Sequence, residues 1–226
     1  MWTSKAERWQ NQAGMRSLPR GRHGLSREFV AQNQRERLLA SIAESLDERG
    51  YDKTTVAAIS GYARVSKSDF YRHFPSKDAC FVTAYDDAVE RLREDALSPC
   101  ASRRDWADGI CTALDAVLAF LAREPARANL LLVEGLRAGP GVYDRFQAAV
   151  QDFVPYLRDG APAVTSAGRS PEAIDEAVVG GVASLLGRRV LAGEAERMEE
   201  FFPEIAEFAL TPYIGTAEAR RIISAR

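Results

Sequence analysis

The stretch from Thr54 to Lys77, TTVAAISGYARVSKSDFYRHFPSK, constrains this chain more than any other, because two short helical patterns stand there with almost nothing between them. Val56, Ile59 and Ala63 fall at spacings that share one helical face. Thr54 and Thr55 can cap that first helix, since a hydroxyl there accepts from a backbone N–H the helix leaves unpaired. After a turn at Arg64-Val65, Ser66 can cap a second helix in which Phe70 and Phe74 recur four apart. Lys67, Ser68, Asp69, Tyr71, Arg72 and His73 are left on its other faces, free to touch something outside. An exposed helix of this length fits the major groove of duplex DNA, where hydroxyls suit phosphates and Lys or Arg reaches base edges. The plainer reading is a helical corner of an ordinary core, with Tyr71 and Arg72 as solvated surface. The density of cations and hydroxyls on one side favours the groove.

From about Asn33 to Leu92 the chain resembles the N-terminal DNA-binding domain of the TetR family of transcriptional regulators. The likeness rests on Gly50-Tyr51, Thr54-Thr55-Val56, Ile59, Ala63, Val65-Ser66-Lys67, Phe70-Tyr71-Arg72-His73-Phe74 and Ser76-Lys77, with no gap between them. The resemblance implies that Thr55, His73 and Lys77 hold phosphates, and that Lys67, Ser68 and Tyr71 sit in or against the major groove. Ser66, Asp69 and Arg72 complete the candidate set on that helix. One departure is visible: many family members carry Gly at the turn position held here by Arg64. A side chain at positive φ costs on the order of 1 kcal/mol. Either the turn has another shape, or Arg64 offsets the strain through a phosphate contact.

Charge follows the same division. Residues 1–80 hold 14 Lys and Arg against 9 Asp and Glu, leaving 16 against 23 for the remainder, so a basic N-terminal third precedes an acidic body. A polyanion attracts the first and repels the second, which orients as well as binds. The segment 1–27 carries Lys5, Arg8, Arg16, Arg20, Arg22 and Arg27 among Gly, Pro and Ser, and reads as a flexible basic arm. Its part from Leu18 to Leu25 resembles the arm before the first helix of some TetR-like proteins. Such an arm can lay arginines in a minor groove, or remain a solvated tail. The expected domains are therefore the arm at 1–27, a three-helix helix-turn-helix DNA-binding domain at 28–78, and a larger helical ligand-binding and dimerisation domain at 79–226. Three irregularly spaced cysteines, Cys80, Cys100 and Cys111, argue against a disulfide framework. No signal-peptide core and no span of ~18 apolar residues is present. A soluble cytoplasmic protein with no membrane partner is expected.

The fold class expected is all-α. Leu38, Ile42 and Leu46 stripe a helix from about Ser26 to Arg49, which Gly50 stops. Pro75-Ser76 starts a longer helix with Phe81, Tyr85, Ala88 and Leu92 on one face, joining the two halves. Trp106, Ile110, Leu114, Val117 and Leu121 mark a helix ended by Glu124-Pro125; Leu130, Leu131, Val133 and Leu136 mark the next. Tyr143, Phe146, Val150, Phe153 and Leu157 mark a third, followed by a loop over 160–170. Ser170-Pro171-Glu172 then opens a helix with a capping hydroxyl, a first-turn proline and an acid at the positive dipole end.

That helix holds Ala177, Gly180, Gly181, Ser184 and Gly187. Interior glycine costs about 1 kcal/mol relative to alanine, so several of them suggest a closely approaching backbone. A last helix carries Phe201, Ile205, Phe208 and Leu210 and closes near Pro212. The helices around 171–192 and 198–213 are the candidate homodimer interface; the alternative is internal packing in a monomer. In TetR-like proteins such helices form a four-helix bundle between subunits, setting two reading helices about one DNA turn apart.

Likeness to the family also implies a cavity among the central helices for a small apolar effector. Trp106, Phe120, Leu131, Phe146, Phe153 and Tyr156 are candidates to line it, with Glu134 and Arg137 as polar anchors. Plain core and solvated charge are the competing reading of these residues. No cofactor, metal site or catalytic residue is indicated: the chain has no phosphate loop, dinucleotide fingerprint or nucleophile elbow, and its two histidines are His23 and His73. A repressor on a double-stranded DNA operator, released by that effector, is the expected function. The rival is a ligand-independent architectural DNA-binding protein with the same reading head.

Overall fold

The computed structural model describes residues 26–97, 105–138, 140–162 and 170–226, so the arm at 1–25 and Cys100 lie outside the described residues. All regular structure among the described residues is helical. The chain divides into two compact units, Met1–Asp86 and Asp87–Arg226.

In the first unit, helix α1 (Arg27–Lys53) starts on Ser26, whose hydroxyl accepts from the Phe29 N–H at 3.1 Å. Gly50, at φ 72°, kinks it and leaves one more turn before Thr54. The expected stripe is the buried one: Leu38, Ile42 and Leu46 are essentially without exposure. Helix α2 (Val56–Ala63) and helix α3 (Lys67–His73) follow, and helix α4 (Lys77–Leu97) carries the chain past the division between the units. Ile59, Phe70, Phe74, Phe81 and Tyr85 fill the core with the α1 stripe. Aromatic edges lock it, with Tyr51 against Phe81 at 5.2 Å. Burial of five large side chains at about 1.5–3 kcal/mol each is ample to offset the ordering of short helices that are marginal alone.

The second unit takes in the end of α4 from Asp87 and continues with helix α5 (Trp106–Arg123), capped by Asp105 and ended at Glu124 as expected. Its buried residues are Ala107, Cys111, Leu114, Leu118, Phe120 and Leu121, a face rotated from the expected one so that Trp106, Ile110 and Val117 lie at its edge. Helix α6 (Pro125–Asn129) runs through a π-helical turn (Leu130–Glu134) into the single turn α7 (Gly135–Arg137). Leu130, Leu131 and Val133 are buried there, whereas Leu136 emerges 46% exposed. Helix α8 (Pro140–Arg158) buries Val142, Val150, Val154 and Leu157, and turns Tyr143 outward.

Helix α9 (Pro171–Leu191) starts where expected, but the Ser170 hydroxyl makes no backbone cap; it donates instead to the Glu172 carboxylate. Two of the small residues of α9, Gly181 and Gly187, find neighbours within the chain. A Cβ at Gly187 would meet the backbone oxygen of Leu132 at 3.1 Å, and one at Gly181 would run into the Phe208 ring, while Gly180 faces open space. A 3₁₀ segment (Ala195–Phe201) leads into helix α10 (Phe202–Ile214), which continues through Pro212 and ends at Gly215, at φ 78°. An amphipathic helix α11 (Thr216–Ser224), absent from the sequence expectation, closes the chain, and Arg226 beyond it pairs with Asp108 and Asp115 of α5 at 2.6 Å each.

Candidate nucleic-acid interface

Helix α3 is seven residues long, and both ends are fixed by local chemistry. The Ser66 hydroxyl accepts from the Asp69 N–H at 3.0 Å and donates to its carboxylate at 2.8 Å, a reciprocal cap. Phe70 points into the core with no exposure, and Tyr71, edge-on to it at 5.5 Å, stands 57% exposed. Lys67, Ser68 and Arg72 are exposed beside Tyr71, and Arg72 pairs with Asp69 at 3.1 Å. On α2 the Thr55 hydroxyl accepts from the Ala58 N–H at 3.2 Å and faces solvent, keeping its own proton for a further acceptor.

Other candidates have commitments inside the unit. His73 Nε2 lies 3.2 Å from Gln34 Oε1 on α1. Burial, then the Arg35 charge, holds its imidazole below the ordinary histidine range. The Lys77 ammonium donates to the Tyr51 carbonyl at 2.9 Å and sits 3.9 Å from the centre of the Tyr51 ring, half-buried rather than free. Arg35 covers the Phe74 ring at 4.8 Å. Arg64 has φ 53° and ψ 41°, the left-handed conformation, with its side chain exposed. Arg37 of α1 donates to the carbonyls of both Ala63 and Arg64. No sequence pattern pointed to Arg37 or Gln34, whose partners lie 26 and 39 positions away.

The result is a short helix presenting two cations, Lys67 and Arg72, with the Ser68 hydroxyl and the amphipathic Tyr71 ring, to solvent. That combination can follow a phosphate backbone and contact base edges. Residues 38–84 match the family described as bacterial regulatory proteins, tetR family. These residues form a TetR-type DNA-binding domain. An uncharacterised HTH-type transcriptional regulator of Mycobacterium tuberculosis is 34% identical over 106 residues, 42% of this chain and 51% of that protein. The nucleoid occlusion factor SlmA of Vibrio cholerae is 30% identical over 100 residues, 44% of this chain and 51% of that protein. The chain thus spans about half the length of the curated relatives it matches. Among solved structures, the fatty acid degradation regulator FadR of Bacillus halodurans superposes with TM-score 0.68 at 12% identity, over 78% of this chain and 94% of that one. A TetR-like transcriptional regulator of Rhodococcus sp. RHA1 superposes with TM-score 0.63 at 20% identity, over 86% of this chain and 97% of that one, so the likeness of fold extends over the second unit as well.

The eight candidate effector contacts in the second unit are not equally placed. Phe120, Leu131 and Glu134 are buried; Trp106, Phe146 and Phe153 are half-buried; Tyr156 and Arg137 are exposed. Arg137 reaches Glu134 at 3.6 Å, and the Trp106 indole donates to the Leu157 carbonyl at 2.8 Å. A polar cluster the sequence did not suggest lies beside Trp106. Asp175, 2% exposed, accepts from the Tyr213 hydroxyl at 2.5 Å and from Arg158 Nε at 2.8 Å, and the Tyr213 ring lies 4.9 Å from that of Trp106. Burial pushes the Cys80 thiol up to about 12 and the Cys111 thiol up to about 11, which makes both poor nucleophiles. No described helix is long and apolar enough to cross a membrane.

Proposed function

We propose that the protein is a homodimeric, sequence-specific DNA-binding transcriptional regulator, acting as a repressor until a small apolar effector occupies the C-terminal unit. The observation that carries the DNA reading is the outward placement of Lys67, Ser68 and Tyr71 on a helix pinned by buried Phe70 and capped by Ser66. Ser66, Lys67, Ser68, Tyr71 and Arg72 face the duplex, Asp69 orients Arg72, and Thr55, Arg64, His73 and Lys77 lie toward phosphates. His73 and Lys77 must loosen their internal contacts to do so.

Dimerisation through α9 and α10 is supported by the exposure of Leu191 and Phe208, at 61% and 41%, next to Ser184, Ala177 and the uncovered Gly180. The effector reading is supported by the buried apolar set around Phe120 and Leu131. It also draws on the likeness of fold to Bacillus subtilis FadR, which was solved in complex with stearoyl-CoA. By linkage, an effector that weakens DNA binding is itself bound less tightly by the DNA complex, by the same factor. Domain roles follow: arm at 1–27, reading head at 28–78, effector and dimer body at 79–226.

Footprinting on DNA upstream of the gene and its neighbours tests the proposal. A short protected palindrome, released by cell extract, is the expected outcome. The SlmA likeness favours one second reading, a ligand-independent architectural DNA-binding role. Uniform low-affinity coating without release marks that alternative.

A further inference from the structure

The segment joining α2 to α3 is three residues long, Arg64 to Ser66, so any change in the turn passes directly to Lys67, Ser68 and Tyr71. Arg64 is the one residue other than glycine with positive φ among the described residues. Its N–H donates to the Gly61 carbonyl at 3.1 Å, and the Val65 N–H donates to the Ser60 carbonyl at 3.0 Å, which closes the end of α2. A left-handed residue bearing a Cβ persists only when its surroundings over-determine it. The surrounding group here is Arg37. Its Nη2 donates to the Ala63 carbonyl and, at 3.1 Å, to the Arg64 carbonyl, two acceptors left without helical partners. Arg37 itself rises from a rigid part of α1, next to fully buried Leu38. Both its burial and the neighbouring Arg64 charge work against a cation at this place. A guanidinium held against those two costs, on two carbonyls of one turn, is serving that turn.

We propose that Arg37 is a positioning residue for DNA reading: from α1 it clamps the left-handed turn at Arg64 and so holds α3 at its angle to α2. The assignment rests on the DNA-binding reading above. Arg37 touches no phosphate on this account; it acts through the turn.

The test is a double-mutant cycle, with the duplex that the wild-type protein selects from a randomised pool as probe. Arg37→Met should weaken binding by about tenfold, the scale of a lost charge-assisted hydrogen bond, with the slope of affinity against salt unchanged. The same change made in Arg64→Gly protein should cost about threefold or less, because glycine holds the left-handed turn unaided. Arg37→Lys, which reaches one carbonyl, should fall between. In DNA-free protein the Arg64 and Val65 amides should exchange faster in Arg37→Met, and a thermal melt identifies any variant that has simply unfolded. Unchanged affinity of a folded Arg37→Met protein, equal losses in both backgrounds, or a salt slope reduced by about one unit would each overturn the assignment. Wild-type protein that selects no duplex overturns the DNA reading itself, and is told apart because it fails before any substitution is made.

Discussion

Gly181 and Phe208 interlock: a Cβ on Gly181 would stand 2.5 Å from the Cζ atom of the Phe208 ring, so the ring rests where a side chain would otherwise be. Phe208 keeps 41% of its surface exposed there, and its ring can swing away. Gly181→Ala should therefore leave folding stability within about 1 kcal/mol, the helix-propensity gain opposing the lost contact. It should also displace the ring from the proposed subunit interface. Sedimentation equilibrium is expected to show weaker self-association beside an almost unchanged melting temperature; unaltered association would remove this contact from the interface.

Tyr71→Ala should cost about 1–3 kcal/mol of operator affinity, the range for a base-edge contact, because the ring is exposed and Phe70 alone anchors the helix inward. A gel shift paired with circular dichroism checks it. Full binding by a folded Tyr71→Ala protein would take this residue out of the reading head.

His73 gives binding a pH dependence of defined sign. Its neighbours are Gln34 and Arg35 on α1, and Asp69 and Arg72 on α3; burial and then Arg35 depress its pKa from 6.5, Asp69 opposing and Arg72 adding slightly. The unfolded chain therefore binds this proton more readily, so His73 contributes stability above pH 6.5 that is lost as pH falls through its folded pKa. A nearby phosphate acts the other way and raises the pKa in the complex. DNA affinity should tighten by a few-fold as pH drops from about 7.5 to 5.5, beyond any change in His73→Gln protein. Isothermal titration in buffers of different ionisation heat should register proton uptake, and identical pH profiles for the two proteins would exclude a phosphate at His73.

Asp175 sets a stability prediction in the second unit. Tyr213→Phe removes the phenol donor and leaves Arg158 to hold the buried carboxylate, and should cost about 1–3 kcal/mol in chemical denaturation. DNA affinity should be unaffected in protein that stays folded. A change below a few tenths of a kcal/mol would mean that water replaces the phenol.

Much of the reading head was legible because its determinants are local. The Thr55 and Ser66 caps, the Ile59 and Phe70 anchors and the stop at Gly50 depend on residues within four positions of one another. The end of α5 at Glu124 and the start of α9 at Pro171 were equally local signals. What escaped was set by contacts between distant residues. Arg37 gives no periodic signal, and the Lys77 ammonium looked free until Tyr51 supplied its carbonyl and ring face. In α8 the spacing of Tyr143, Phe146 and Val150 suggested one face, but the burial of Val142 and Val154 turns Tyr143 and Tyr156 to solvent. Helix α11 was missed because its buried anchor is a single small residue, Ala219.

At the wide turn Leu130–Glu134 the Gly135 N–H reaches back five residues to the Leu130 carbonyl. Such a loop holds one residue more than an ordinary turn, so everything after it is rotated by about 100° relative to a straight continuation. Leu136 emerges exposed, although counting by threes from buried Val133 places the two on a common side of a straight helix. The widened loop thus works as a phase shifter in the continuous rod from Pro125 to Arg137, setting its last turn at a new angle to the first.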